Sequence, residues 1–156
     1  MKKISIFISL ICLMLAGNAS GQSIATDSAQ VAKAFKELLA ICKRVQAADA
    51  GTQAKEGFSK AAAYIAYRGS DAKRKWKDCS NYALPEEKER VDDMCFGING
   101  SVNRDPDYVI AGYLQKKESE GTWHTLIVNY TKSGKAKQIH FAFLRIKDRF
   151  VLGDIN

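Results

Sequence analysis

The chain has 156 residues, with 24 Lys and Arg against 17 Asp and Glu and a formal charge of +7. That length suits one domain around one hydrophobic core, and no internal repeat or low-complexity tract argues for a solenoid or a disordered tail. The positive balance favours anionic partners such as a phosphate-bearing lipid, an acidic glycan or an acidic protein.

Residues 1–21 read as a secretory signal peptide and residues 22–156 as a single domain. Lys2 and Lys3 form the positive start, and Ile4 to Ala16 an apolar stretch of 13 residues. That is too short for a lasting membrane span, which needs about 20 apolar residues. The small and polar residues Gly17 to Gly21 supply a cleavage region, with a cut after Gly21 leaving Gln22 first; cuts after Gly17 or Ala19 are alternatives. Cys12 follows Leu10-Ile11 and not the small residues of a lipidation site, so no stable membrane anchor is expected. The expected location is periplasmic or secreted, which argues against nucleic acid as a partner. Loss of the leader removes two lysines and no acid, leaving +5.

Three cysteines follow the leader in a compartment that permits disulfides. Cys42 lies on an apolar helical stripe and reads as a buried free thiol, while Cys79 and Cys95 are the candidate disulfide pair. There is no Cys-x-x-Cys, and His124 and His140 lie far from the cysteines in sequence, so no metal or other cofactor is expected.

From Asp27 to about Ala48, Val31, Phe35, Leu38, Cys42 and Val45 recur at alternating steps of four and three, the stripe of an amphipathic helix. Asp27 or Ser28 is the expected cap. Phe58 to Tyr67 reads as a helix running into a short strand. Arg68 to Asp71 reads as a turn, with Asp71 capping a short basic turn through Lys77. Within it Lys73-Arg74-Lys75-Trp76-Lys77 is the densest positive cluster: either a phosphate-seeking surface or a solvated turn whose Trp76 packs inward. Pro85, Glu86 and Glu87 suit the start of a third helix, with Val91, Cys95 and Ile98 as its stripe and Gly97 and Gly100 marking its end.

From Asp107 onward the period becomes two. Four strands are expected, Asp107–Lys117, Thr122–Thr131, Lys135–Ile146 and Arg149–Ile155, joined by short antiparallel hairpins. Helices first and a meander afterwards give an α+β fold, with N-terminal helices packed on a four-stranded antiparallel sheet. A three-residue loop Lys132-Ser133-Gly134 sets Trp123 opposite Phe143, Thr125 opposite Phe141 and Ile127 opposite Ile139. A two-residue loop Lys147-Asp148 sets Phe143 opposite Leu152 and Phe141 opposite Asp154. One face then carries Trp123, Thr125, Ile127, Phe141, Phe143, Leu152 and Asp154, and packs on the helices. The other carries His124, Leu126, Val128, Leu144 and Val151, and wants a second cover: a homodimer copy, a protein partner or more of the helices. A slip of one residue exchanges these sets.

On that register Asp154 falls among aromatic residues, where a carboxylate is costly. One reading makes it an acid–base group in a pocket with Tyr64, Tyr67, Tyr113, Trp123 and Thr125. The other makes it a structural carboxylate held by a helix N-terminus or by Arg68. His124 and His140 read as surface or interface residues, and Glu118 and Glu120 as exposed residues of a hairpin tip.

The closing stretch Phe141-Ala-Phe-Leu-Arg-Ile-Lys-Asp-Arg-Phe-Val-Leu-Gly-Asp-Ile, with the order of helices and meander, resembles small exported bacterial members of the nuclear-transport-factor-2-like superfamily. That resemblance implies a cone with an internal cavity. Enzymes of the superfamily, ketosteroid isomerases and scytalone-type dehydratases, place Asp, His or Tyr there, but their catalytic sets find no residue-by-residue match in this chain. Two functional expectations follow. The first is a non-enzymatic module binding a small apolar ligand or a protein through Tyr64, Tyr67, Tyr113, Trp123, Thr125 and Asp154. The alternative is a small isomerase or dehydratase using Asp154.

Overall fold

The computed structural model describes residues 24–44, 52–69, 75–80 and 84–156. The leader, Val45, Asp71, Lys73 and Arg74 lie outside them. The stripe of Val31, Phe35, Leu38 and Cys42 is fully buried along a helix, α1, described over 24–44, and Ala34, Leu39 and Ile41 widen it. Helical residues are present from Ile24, so Asp27 and Ser28 lie inside the helix and do not cap it there. Helix α2, Thr52–Ala62, buries Ala61 and Ala62 and leads through a turn into the two-residue strand β1, Ala66–Tyr67. Strand β2, Lys77–Asp78, pairs with it antiparallel. Helix α3, Pro85–Asn99, starts on its proline and buries Val91, Cys95 and Ile98 as the spacing predicts, with Met94 added. Gly97 is inside α3, and Gly100 is its C-cap.

After a 3-10 turn at Val102–Arg104 come strands β3, Val109–Glu118, β4, Gly121–Lys132, β5, Lys135–Ile146, and β6, Arg149–Ile155. They form an open antiparallel sheet in the order β3-β4-β5-β6. The fold is α+β, as expected, with the helices N-terminal to the sheet.

The register differs from the expectation by one residue. Lys132 pairs with Lys135, so the hairpin loop is the two-residue Ser133-Gly134, not a three-residue loop. Ser133 and Gly134 have φ of 54° and 73°, the positive pair of a primed turn whose twist matches the strands. Trp123 therefore pairs with Leu144, Thr125 with Ala142 and Ile127 with His140, while Leu126 pairs with Phe141 and His124 with Phe143. The slip moves every β4 side chain to the face opposite the expected one. Leu126, Val128, Phe141, Phe143 and Leu152 face the helices and join Val31, Phe35, Leu38 and Ile98 in one core. Phe35 meets Phe141 with ring centroids 4.7 Å apart.

A second irregularity relocates Asp154. Phe143 pairs with Leu152 as expected, but a bulge follows, so Ala142 pairs with Asp154 and Phe141 with Ile155. Asp154 therefore lies across from Ala142 and Thr125, on the face away from the helix-side aromatics. Its Oδ2 accepts a hydrogen bond from Asn156 at 2.9 Å. Arg68, its expected partner in the structural reading, pairs with Glu120 instead.

The second sheet face is partly covered by the chain itself. Ile65 bridges to Leu152 and the Leu152 amide donates to the Tyr64 carbonyl at 2.7 Å, which fastens β1 beside β6. Ala66, Leu144 and Val151 are buried there, with Trp76, Trp123 and Ile146 packed around them. Leu114 is left 56% exposed on the edge strand β3.

The cysteine pairing also differs. Cys42 joins Cys95, with Cα atoms 5.1 Å apart, and Cys79 is the buried free thiol. The α1 and α3 stripes face each other, and Cys42 and Cys95 belong to those stripes. Cys79 instead follows β2, its amide bonded to the Ala62 and Ile65 carbonyls. Burial pushes its thiol up to about 12, so it is not a reactive thiolate. Near the disulfide, Asn99 donates to the Cys42 carbonyl at 2.9 Å and Asn103 to the Leu39 carbonyl at 3.0 Å, tying α3 and the turn after it to α1.

Candidate functional site

At the end of the sheet where the β3–β4 and β5–β6 hairpins turn, a cleft of about 1050 Å³ opens. Its sides come from distant parts of the chain: Asp27 on α1, Arg68 after β1, Lys75 and Trp76 before β2, Glu120 at one hairpin tip, and Arg145 and Lys147 at the other. His124, Gln115, Leu144 and Ile146 add to the lining. Four cations thus face two carboxylates.

One side is built around Trp76. Its indole Nε1 donates to Glu120 Oε2 at 3.1 Å, and the same oxygen takes the Arg68 guanidinium. Arg68 also lies over the Trp76 ring, 5.0 Å from its centroid, a cation–π contact. Behind it, Trp123 meets Trp76 edge-on at 5.5 Å. Trp76 therefore packs inward, the second of the two readings of the basic segment, while Lys75 beside it stays exposed. Glu120, which in sequence looks like a solvated loop carboxylate, joins the two halves of this side.

The inner end holds a histidine–tyrosine pair. His124 is 3% exposed, and its Nδ1 lies 2.6 Å from the Tyr113 hydroxyl. The bond forms in either neutral tautomer, with Tyr113 donating to Nδ1 or accepting from it. Phe150 packs edge-on against the imidazole at 4.8 Å. Burial lowers the His124 pKa; Asp27 opposes that shift and Arg145 adds to it. Tyr113 is raised, by burial first and by Asp27 second.

A histidine whose folded pKa lies below its unfolded value of about 6.5 binds more protons when unfolded. Its contribution to stability is complete above pH 6.5 and is lost as pH falls through the folded pKa. The expected result is a unfolding midpoint in urea that declines below pH 6.5 by more in the native protein than in His124→Gln. An NMR titration of the His124 ring should give a midpoint under 6.5; one at or above 6.5 would mean that Asp27 outweighs burial.

None of the six residues expected to form a pocket lines this cleft. Tyr64, Tyr67 and Tyr113 pack against the helix-side core, where the Tyr64 hydroxyl donates to Glu37 at 2.9 Å. Trp123, Thr125 and Asp154 are on the opposite sheet face. Tyr113 and Trp123 each touch the cleft through one neighbour, His124 and Trp76. Sequence reasoning missed Asp27, Arg68, Glu120, His124, Arg145 and Lys147 as a group, because six separate segments supply the lining. Only the charge run ending at Lys77 was a usable signal, for Lys75 and Trp76.

A separate polar cluster flanks β2. Glu87, 1% exposed, takes the Lys77 ammonium at 2.5 Å, and that hydrogen bond raises the Lys77 pKa. Asp78 accepts from Arg149 at 3.1 Å and lies 3.6 Å from Lys147. Burial pushes the Asp78 carboxyl up, but Ser80, Lys147 and Arg149 together hold it below its ordinary value. Among the described residues no group of three or more His, Cys, Asp or Glu is placed to hold a metal, and no helix is long and apolar enough to cross a membrane. Comparison of the chain with protein-family models, characterised proteins and solved structures returns no match.

Proposed function

We propose that this protein is an exported, non-enzymatic binding module that holds a small ligand in the cleft at the hairpin end of its sheet. The observation that carries the reading is the braced Trp76 side. Glu120, Arg68 and Trp123 hold the indole beside an open space of about 1050 Å³, a volume of the order of ligand sites in general, about 300–1,000 Å³. A ring fixed before binding loses little side-chain entropy on contact. Export rests on the leader-like residues 1–21, and kinship with the nuclear-transport-factor-2-like superfamily on element order and the closing hairpin; both belong to this proposal.

The test is a two-dimensional NMR titration of the protein with a mixed set of small aromatic acids, phosphates and neutral analogues. Shifts should gather at the amides of Gly121, Thr122, Leu144 and Ile146 and at the Trp76 indole, and Trp76→Ala should abolish them. Shifts gathered around Leu114 and Ile127, or none anywhere, would overturn the reading.

A further inference from the structure

We infer that the ligand of this cleft is an organic phosphate, its phosphoryl group held by Lys75, Arg145 and Lys147 and its organic part against Trp76. The inference rests on the cleft being a ligand site and adds the chemistry of the ligand. The distribution of charge carries it. Of the two cleft carboxylates, Glu120 is engaged by Arg68 and the Trp76 indole. Asp27 acts on the inner end, where its charge is felt by His124 and Tyr113. The rim also carries Lys75 and Arg145, neither of which has a carboxylate within salt-bridge distance among the described residues, and Lys147, which lies 3.6 Å from Asp78.

The lining as a whole holds a surplus of two positive charges. A carboxylate ligand balances one of them. A phosphomonoester carries about −1.5 to −2 at neutral pH and offers three acceptor oxygens, matching both the charge and the number of rim cations. Arg145 brings a planar fork suited to two phosphoryl oxygens, and its guanidinium is steadied over the Phe150 ring at 5.8 Å. Inorganic phosphate alone leaves most of the space, and the apolar surface of Trp76 and Ile146, uncovered. An organic group attached to the phosphate fills both.

Calorimetric titration of the protein with phenyl phosphate, inorganic phosphate and benzyl alcohol tests this. Phenyl phosphate should bind at least about tenfold tighter than either of the others, a difference of about 1.4 kcal/mol. Arg145→Gln and the exposed Lys75→Gln should each weaken it about tenfold, as expected for loss of a charged hydrogen bond. Lys132→Gln, at the other end of the sheet, should leave it unchanged; should Arg145→Gln fail to fold, Lys75→Gln decides. Equal binding of benzyl alcohol would overturn the phosphate inference while leaving the cleft as a ligand site. Failure of all three probes, with cleft shifts still seen for neutral or carboxylate compounds, would overturn it in the same way. If the cleft shows no shifts with any compound, both readings fall. Flotation with vesicles of phosphatidic acid in phosphatidylcholine, against phosphatidylcholine alone, separates the sources. Flotation lost in Lys75→Gln assigns a lipid headgroup, and phenyl phosphate binding without flotation assigns a soluble organic phosphate; either result supports the inference.

Discussion

Replacing Cys42 and Cys95 together by serine should lower the unfolding free energy by about 4 kcal/mol. The bridge spans a sequence separation of 53 residues, and the loop-closure entropy it removes from the unfolded chain comes to about that value. Against a total stability of about 5–15 kcal/mol for a small domain, the loss is large. Two further effects point the same way. Cys42 and Cys95 are both buried in the core between α1 and α3, so each serine leaves a hydroxyl in apolar surroundings. The Asn99 and Asn103 bonds to α1 carbonyls sit beside the bridge and will loosen with it. Urea denaturation of the native protein and of Cys42→Ser/Cys95→Ser measures the difference. Cys79→Ser is the control, since Cys79 is buried but unbridged. A loss under 1 kcal/mol for the double variant, or an equal loss for the control, would count against the pairing.

Gly153→Ala is expected to cost about 2–3 kcal/mol, near the top of the usual range for overpacking. A Cβ at this position would stand 2.7 Å from Cζ3 and 2.8 Å from Cη2 of Trp123, closer than real Cβ contacts come. The indole has little room to retreat. Trp76 stands edge-on against it, and the Trp123 Nε1 is itself buried, with no hydrogen-bond partner among the described residues. The substitution would otherwise stabilise slightly, since alanine restricts the unfolded chain more than glycine does, by about 0.4–1 kcal/mol. In a Trp123→Leu background the cost of Gly153→Ala should therefore shrink or change sign, a coupling that a double-mutant cycle reads directly. Equal costs in the two backgrounds would place the strain elsewhere. Because Trp123 backs Trp76, the single variant should also weaken ligand binding in the cleft.

The elements were legible because their signals are local. A four-and-three spacing from Val31 to Cys42 requires only that α1 bury one face, and Pro85-Glu86-Glu87 marks a helix start whatever packs beside it. The two-residue turn at Lys147-Asp148 was likewise readable, and with it the pairing of Phe143 with Leu152. Two single-residue events escaped. Ser133 accepts a positive φ beside Gly134, which shortens one hairpin loop and turns β4 over. The bulge at Gly153 then moves Asp154 off the row it would share with Phe141. Both β4 faces are apolar enough to be buried, so hydrophobic alternation does not choose between the two registers.

The candidate site was far less legible than the fold. The expected register groups Trp123, Thr125 and Asp154, and the structure keeps these three on one face but sets Tyr64, Tyr67 and Tyr113 against the core on the other. The cleft residues carry weak individual signals: a hairpin glutamate, a strand arginine, a turn lysine, a histidine in a strand. Their meaning comes from proximity across segments from Asp27 to Lys147.

The amino-acid sequence by itself determined the α+β class, the order of helices and strands, the hairpin connections and the positive charge. These depend on periodicity, turn chemistry and composition, all of which act over a few residues. Tertiary structure decided the β4 register, the Cys42–Cys95 bridge and the basic cleft. Each requires knowing which distant side chains meet, and that is settled by competition among packings of the whole chain, with a one-residue shift enough to change the outcome.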